Sequence, residues 1–131
     1  MRMAKPQASD RRLERVTKIC LALPEAAHEH IGDHSSFSVR KKKFAYFLNS
    51  HHGDGIISVC FRTERGQHEV LLASDQTRFY SPAYIGPKGW VGLRLDCGPI
   101  DWTEVADFVT ESYRLAAPKT LAGRIKPRPD D

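Results

Sequence analysis

Apolar residues recur at helical spacing near the two ends of this chain and alternate through its middle. Leu13, Val16, Cys20 and Leu23 fall on one helical face, widened by Ile19, which predicts a first helix with Ser9 or Asp10 as its amino-terminal cap. Pro24 ends it, because a proline disfavours helical geometry in the residue before it. From residue 27 to residue 62 the period becomes two. Phe37 and Val39 predict a short strand. Phe44, Tyr46 and Leu48 alternate along a longer one, with Ala45 and Phe47 on its other face. Ile57, Val59 and Phe61 mark a third, with Ile56, Ser58 and Cys60 opposite. Arg40 to Lys42 forms the first hairpin tip, and the Asp54-Gly55 pair within His51-His52-Gly53-Asp54-Gly55 suits the second tight turn.

Beyond the break at residues 63–66, Gln67 to Ser74 reads as a short helix with Val70, Leu71 and Ala73 partly buried. Arg78 to Ile85 reads as extended, at an edge or a bulge because of Pro82. Gly86-Pro87-Lys88-Gly89 is a turn, and Trp90 to Leu95 a strand with Val91, Leu93 and Leu95 on one face. Asp101 and Glu104 open a final helix as a capping box. Its stripe is Trp102, Val105, Phe108, Val109, Ser112, Tyr113 and Ala116, and it ends at Pro118. The expected fold is therefore α+β in the order α-β(3)-α-β(2)-α. It is a two-layer sandwich whose five-stranded antiparallel sheet carries helices on one face. One domain is expected over residues 9–118, with basic, flexible tails at 1–8 and 119–131.

Composition narrows the class. The chain has 131 residues, 40% hydrophobic and 27% charged, which suits one folded domain rather than a disordered segment. The run Ile19 to Leu23 falls far short of the roughly 20 apolar residues that a bilayer span needs. The polar, basic first dozen residues give no expectation of a secretory leader. Three cysteines, Cys20, Cys60 and Cys97, share no close spacing, and this suits a reducing cytoplasm better than a disulfide framework.

A net charge of +4 and a pI near 9.1 point toward polyanions, but the excess lies in the ends. Residues 1–12 carry a net +3 and residues 118–131 a net +2, leaving −1 on residues 13–117. Within that balanced body one run stands out, Arg40-Lys41-Lys42-Lys43. Four cations at a hairpin tip suit phosphate contact without base specificity; the alternative is a solvated turn that keeps a sheet edge from pairing. Tyr84 and Lys88 are further candidates for the same surface. Phe44, Tyr46 and Tyr84 could stack bases, though aromatics at strand spacing more often belong to a core.

Other chemistry is weaker. His28, His30, His34, His51, His52 and Asp54 offer ligand types suited to zinc or another transition metal, but without an established spacing. His68-Glu69 begins like a zinc-protease helix, yet Leu72 stands where the second histidine is needed. Cys20 and Cys60 fall on apolar faces, and Asp96 beside Cys97 disfavours a thiolate. No nucleophile elbow, phosphate-cradling loop or dinucleotide fingerprint is present, so no cofactor is expected.

Several short motifs in order identify a resemblance over roughly residues 10–120. They are Gly32 followed by Phe37-Ser38-Val39, then Lys43-Phe44-Ala45, and Phe79-Tyr80 before Pro82-Ala83-Tyr84. Gly89-Trp90-Val91, Leu95-Asp96, Asp101-Trp102 and the closing run Ser112 to Lys119 complete the set. The chain resembles the MmcQ/YjbR family. The resemblance implies the α-β(3)-α-β(2)-α arrangement, related to the fold of type III secretion chaperones. Family members often carry a DNA-binding label, with no established reaction or catalytic residues. Many members have Gly-His-Pro before the first strand, whereas here Gly32-Asp33-His34-Ser35-Ser36 is one residue longer.

These readings together favour a cytoplasmic binding module over an enzyme. The first expectation is weak, sequence-independent nucleic-acid binding by the basic hairpin and tails. A protein-segment binder, by analogy with secretion chaperones, is the alternative, and a metal-dependent enzyme ranks below both.

Overall fold

The computed structural model describes residues 7–32, 34–50 and 53–125. The elements run α1 (Gln7–Leu21), β1 (Ala26–Ile31), β2 (His34–Val39), β3 (Lys42–Asn49), β4 (Ile57–Arg62), α2 (Gln67–Ser74), β5 (Phe79–Tyr80), β6 (Trp90–Arg94), α3 (Trp102–Ala116) and α4 (Lys119–Ala122). The fold is α+β, but the sheet has six strands, in the order β1-β2-β3-β4-β6-β5, with every neighbouring pair antiparallel.

The additional strand is β1. Five of its six residues are exposed, so no apolar alternation announces it in the sequence. It is held by backbone pairing from Ala26↔Val39 to Ile31↔His34. Other boundaries move as well. The first helix begins at Gln7, so Ser9 and Asp10 lie inside it rather than capping it. Of the stretch expected as extended from residue 78, only Phe79 and Tyr80 pair as strand. In α2 the half-buried residues are His68, Leu71 and Leu72, while Val70 is 65% exposed and Ala73 is exposed too, against expectation. Lys119–Ala122, which the sequence reading gave to the tail, forms α4 and buries Leu121 in the core.

Register decides which residues face the helices. Phe37↔Ala45 and Ser38↔Lys43 leave Phe44 as the extra residue of a β-bulge in β3. Ala45 and Phe47 therefore point to the helical side with Val59, Phe61, Val91 and Leu93, and the bulge turns Phe44 to that side too. Val16 and Cys20 of α1, with Val105, Val109 and Tyr113 of α3, close this core. Phe44 meets Tyr113 edge-on, and Phe61 stacks on Phe108 at 4.6 Å.

The other face carries a smaller apolar cluster of Leu48, Cys60 and Trp90, with Tyr46 and Ile85 against it. No helix of the described residues covers that face. The loop from residue 81 to residue 89 delivers Ile85 to it.

Candidate nucleic-acid interface

Val39↔Lys42 pairing reduces the first hairpin tip to two residues, Arg40 and Lys41. Both have positive φ, 49° and 70°. That is the backbone of a two-residue hairpin turn that favours Asn-Gly, so two long cationic side chains occupy a strained position. Lys42 and Lys43 belong to β3 rather than to the tip.

The run of four cations is split by its partners. Arg40 donates two hydrogen bonds to the Glu25 carboxylate, at 2.6 and 3.1 Å. The Arg40 hydrogen bond holds the Glu25 carboxyl below the usual carboxylate range. Lys43 donates to Glu29 at 3.2 Å and to Ser36 Oγ at 3.1 Å. Lys41 and Lys42 are exposed and form no ion pair among the described residues.

The topology gathers more positive charge at this end of the sheet. β2 and β4 end here, and β3 and β6 begin here. Helix α3 also runs toward it, since Ser112 contacts Phe44 and Arg62. Arg62, Arg65, Lys88, Arg114, Lys119 and Arg124 therefore join residues 40–43, against Glu25, Glu29, Glu64 and Glu111. Arg124 lies close enough for its charge to act on both Glu25 and Tyr113. Glu111 pairs with Arg114 within α3. A body whose charges nearly cancel in the sequence is thus locally basic at the hairpin end.

Lys88 sits exposed in a single 3₁₀ turn, Gly86–Lys88, two residues before Trp90. Tyr84, 75% exposed and with φ of 69°, stands on the same loop. On the face away from the helices, the Arg62 guanidinium lies 5.9 Å from the Trp90 ring centroid, and Trp90 lies 5.1 Å from Tyr46. Beside these rings is a cleft of about 230 Å³, with Ile31, Tyr46 and Leu48 as its apolar walls and His34, Ser36 and the paired Glu29 and Lys43 at its polar side. The sequence reading missed this cleft. Its signal was the apolar character of Tyr46 and Leu48 on the second face of β3.

The metal candidates are divided. His28 Nε2 and His30 Nδ1 both reach Ser35 Oγ, at 2.9 and 3.2 Å, on the helical side of the sheet. His34 belongs to the opposite face and accepts from the Asn49 backbone N–H at 3.3 Å. The Asp54 carboxylate accepts from the Ile56 N–H at 2.8 Å and thereby shapes its own turn. His51 and His52 lie outside the described residues, among which no three metal-ligand side chains converge. Cys20 and Cys60 are buried, and burial pushes the Cys60 thiol up to about 12, which removes it as a nucleophile.

Among the described residues, an antiparallel sheet with its helices on one face, a cleft on the other and a cationic hairpin make up a small α+β domain. The YjbR family model matches residues 21–115, and the chain belongs to that family. A Deinococcus radiodurans protein, DR2400, with a DUF419 domain, superposes with a TM-score of 0.66 at 18% identity, covering 82% of this chain and 80% of that one. A Pseudomonas syringae protein superposes with a TM-score of 0.59 at 15% identity, covering 88% of this chain and all of that one. No curated protein matches the chain. These likenesses establish the fold. No helix among the described residues is long and apolar enough to cross a membrane.

Proposed function

We propose that this domain is a binding module that holds the phosphate backbone of nucleic acid at its hairpin end, without reading sequence. The observation that carries this reading is the pair Lys41 and Lys42: exposed, free of carboxylate partners among the described residues, and partly held in strained backbone. Strain of this kind costs on the order of 1–3 kcal/mol per residue and tends to persist where a site needs it. Lys88, Arg62 and Arg124 extend the positive field around the lysines, while Arg40 and Lys43 are largely neutralised and serve to brace the hairpin. Such contacts release counterions and impose no base preference.

The test is binding of random-sequence DNA and RNA to the parent protein and to Lys41→Ala/Lys42→Ala and Arg40→Ala variants. The double lysine variant should lose most of the affinity, and Arg40→Ala should lose little. Absence of binding at about 50 mM salt, where electrostatic association is favoured, contradicts the reading.

The exposed edge of β1 favours a second reading, addition of an extended protein segment to the sheet. Backbone pairing of that kind would be nearly insensitive to salt, which separates the two.

A further inference from the structure

We propose that Glu25 is a built-in competitor for phosphate: its carboxylate occupies the donor fork of Arg40 and withholds that guanidinium from a polyanion seated on Lys41 and Lys42. The proposal rests on the polyanion reading above and adds the residue that limits the same site.

The contact is aimed by the fold. Leu23 to Ala26 forms a turn closed by the Ala26 N–H on the Leu23 carbonyl at 3.2 Å, with Glu25 at its third position and φ of 57°. A positive φ at that position is what glycine or asparagine ordinarily supplies. The Tyr113 hydroxyl, from a fully buried side chain, donates to the Pro24 carbonyl at 2.6 Å and fixes the turn from beneath. Strand β1 begins directly after it, and Ala26↔Val39 pairing brings Glu25 alongside Arg40. Arg40 is itself left-handed, with φ of 49°. Two L-residues, each in a conformation that it adopts at a cost, thus meet in one ion pair. Strained backbone of this kind clusters at ligand clamps and switches.

The chemistry of the contact is that of a phosphate site. Arg40 Nε and Nη2 donate to the two Glu25 oxygens at 2.6 and 3.1 Å, the paired arrangement in which a guanidinium also takes two phosphate oxygens. The Arg40 side chain is 55% exposed and that of Glu25 44%, so a phosphate chain can reach the fork from solvent. Lys41 is the next residue of the hairpin turn and has no carboxylate partner among the described residues. Arg124 also acts on the Glu25 carboxylate, so its surroundings stay cationic. An exposed ion pair is a weak lock. Glu25 attenuates the site without closing it, and Arg40 becomes a phosphate ligand once the carboxylate is gone.

The experiment is a double-mutant cycle. Binding of a random-sequence DNA duplex is titrated over a range of salt with the parent, Glu25→Gln, Arg40→Ala and the doubly substituted protein. Glu25→Gln should raise affinity about threefold or more at about 50 mM salt. It should also steepen the slope of log affinity against log salt by about 0.9, the worth of one further phosphate contact. In the Arg40→Ala background the same substitution should give little gain and no change of slope. Glu25→Asn suits left-handed backbone better and should reproduce the gain, so the result does not depend on how glutamine fits. An equal gain with and without Arg40 overturns the proposal, since the carboxylate would then act only by repulsion. Unchanged or lower affinity in both Glu25 variants overturns it too, leaving Glu25 as a brace of the hairpin and the polyanion reading standing. Absence of binding in every protein overturns both.

Discussion

Ser112 Oγ donates a hydrogen bond to the Phe44 carbonyl at 2.6 Å, tying α3 to the bulge residue of β3. The same oxygen accepts from the Arg62 backbone N–H at 2.8 Å. The β3–β4 ladder is paired through Ala45↔Phe61, and one step beyond it the hydroxyl stands between the two backbones. Ser112 is fully buried, so no water can replace it readily. Ser112→Ala leaves a buried carbonyl and a buried N–H unpaired, at about 1–3 kcal/mol each. Urea unfolding should show a loss of about 2–4 kcal/mol, far above that of an ordinary surface substitution.

The hairpin tip predicts the opposite sign. Lys41→Gly relieves a left-handed conformation that costs an L-residue about 1–2 kcal/mol, less the greater entropy of glycine in the unfolded chain. Stability should rise by about 0.5–1 kcal/mol while affinity for nucleic acid falls. A variant that loses stability, or gains it without losing affinity, contradicts the link between strain and binding.

Gly92 is required by Tyr80. A Cβ at position 92 would sit 2.4 Å from Tyr80 Cε1. The ring lies against that glycine while its hydroxyl meets Ser58 Oγ at 2.7 Å. Gly92→Ala should cost about 1–3 kcal/mol, as overpacking does, and Gly92→Ala combined with Tyr80→Ala should recover part of that loss. Thermal unfolding of both variants checks it.

Acid should loosen β1. Burial against Phe37, where the His28 ring stacks at 4.7 Å, lowers the pKa of His28, and His30 adds to the shift. A histidine whose folded pKa is depressed binds fewer protons folded than unfolded. Its contribution is complete above its ordinary value of 6.5 and is lost as pH falls below that value through the folded one. Amide exchange in residues 26–31 should therefore quicken, after correction for intrinsic rate, between about pH 7 and pH 5. His28→Gln should flatten that dependence. A second loss is expected at lower pH. Thr77 and Arg78 hydrogen bonds hold the Asp75 carboxyl at about 2, and that stabilisation disappears as pH drops through the range between 3.8 and 2.

Much of this architecture was readable because burial and periodicity coincide. Val16 and Cys20 on α1, and Val105, Val109 and Tyr113 on α3, are core residues at helical spacing. The cap was readable too: Asp101 Oδ1 accepts from the Thr103 and Glu104 N–H groups. Its reciprocal half was not, because Glu104 turns instead to Arg78, at 2.7 Å.

Strand β1 escaped notice because it is an exposed edge whose stability is in backbone pairing. The bulge at Phe44 escaped for a related reason, since adjacent buried residues break a strict alternation. The candidate site was half legible. The cations of residues 40–43 are plain in the sequence, but their division into free and neutralised depends on Glu25 and Glu29. Those carboxylates are 15 and 14 residues away and reach the cations only through hairpin register.

The most direct measurement is the salt dependence of binding to random-sequence nucleic acid by the parent and by Lys41→Ala/Lys42→Ala. If both lysines contact phosphate, the slope of log affinity against log salt should shrink in the variant by about 1.4 for single strands or about 1.8 for duplex. The same slope in both proteins, or no binding at low salt, would contradict a phosphate-binding hairpin.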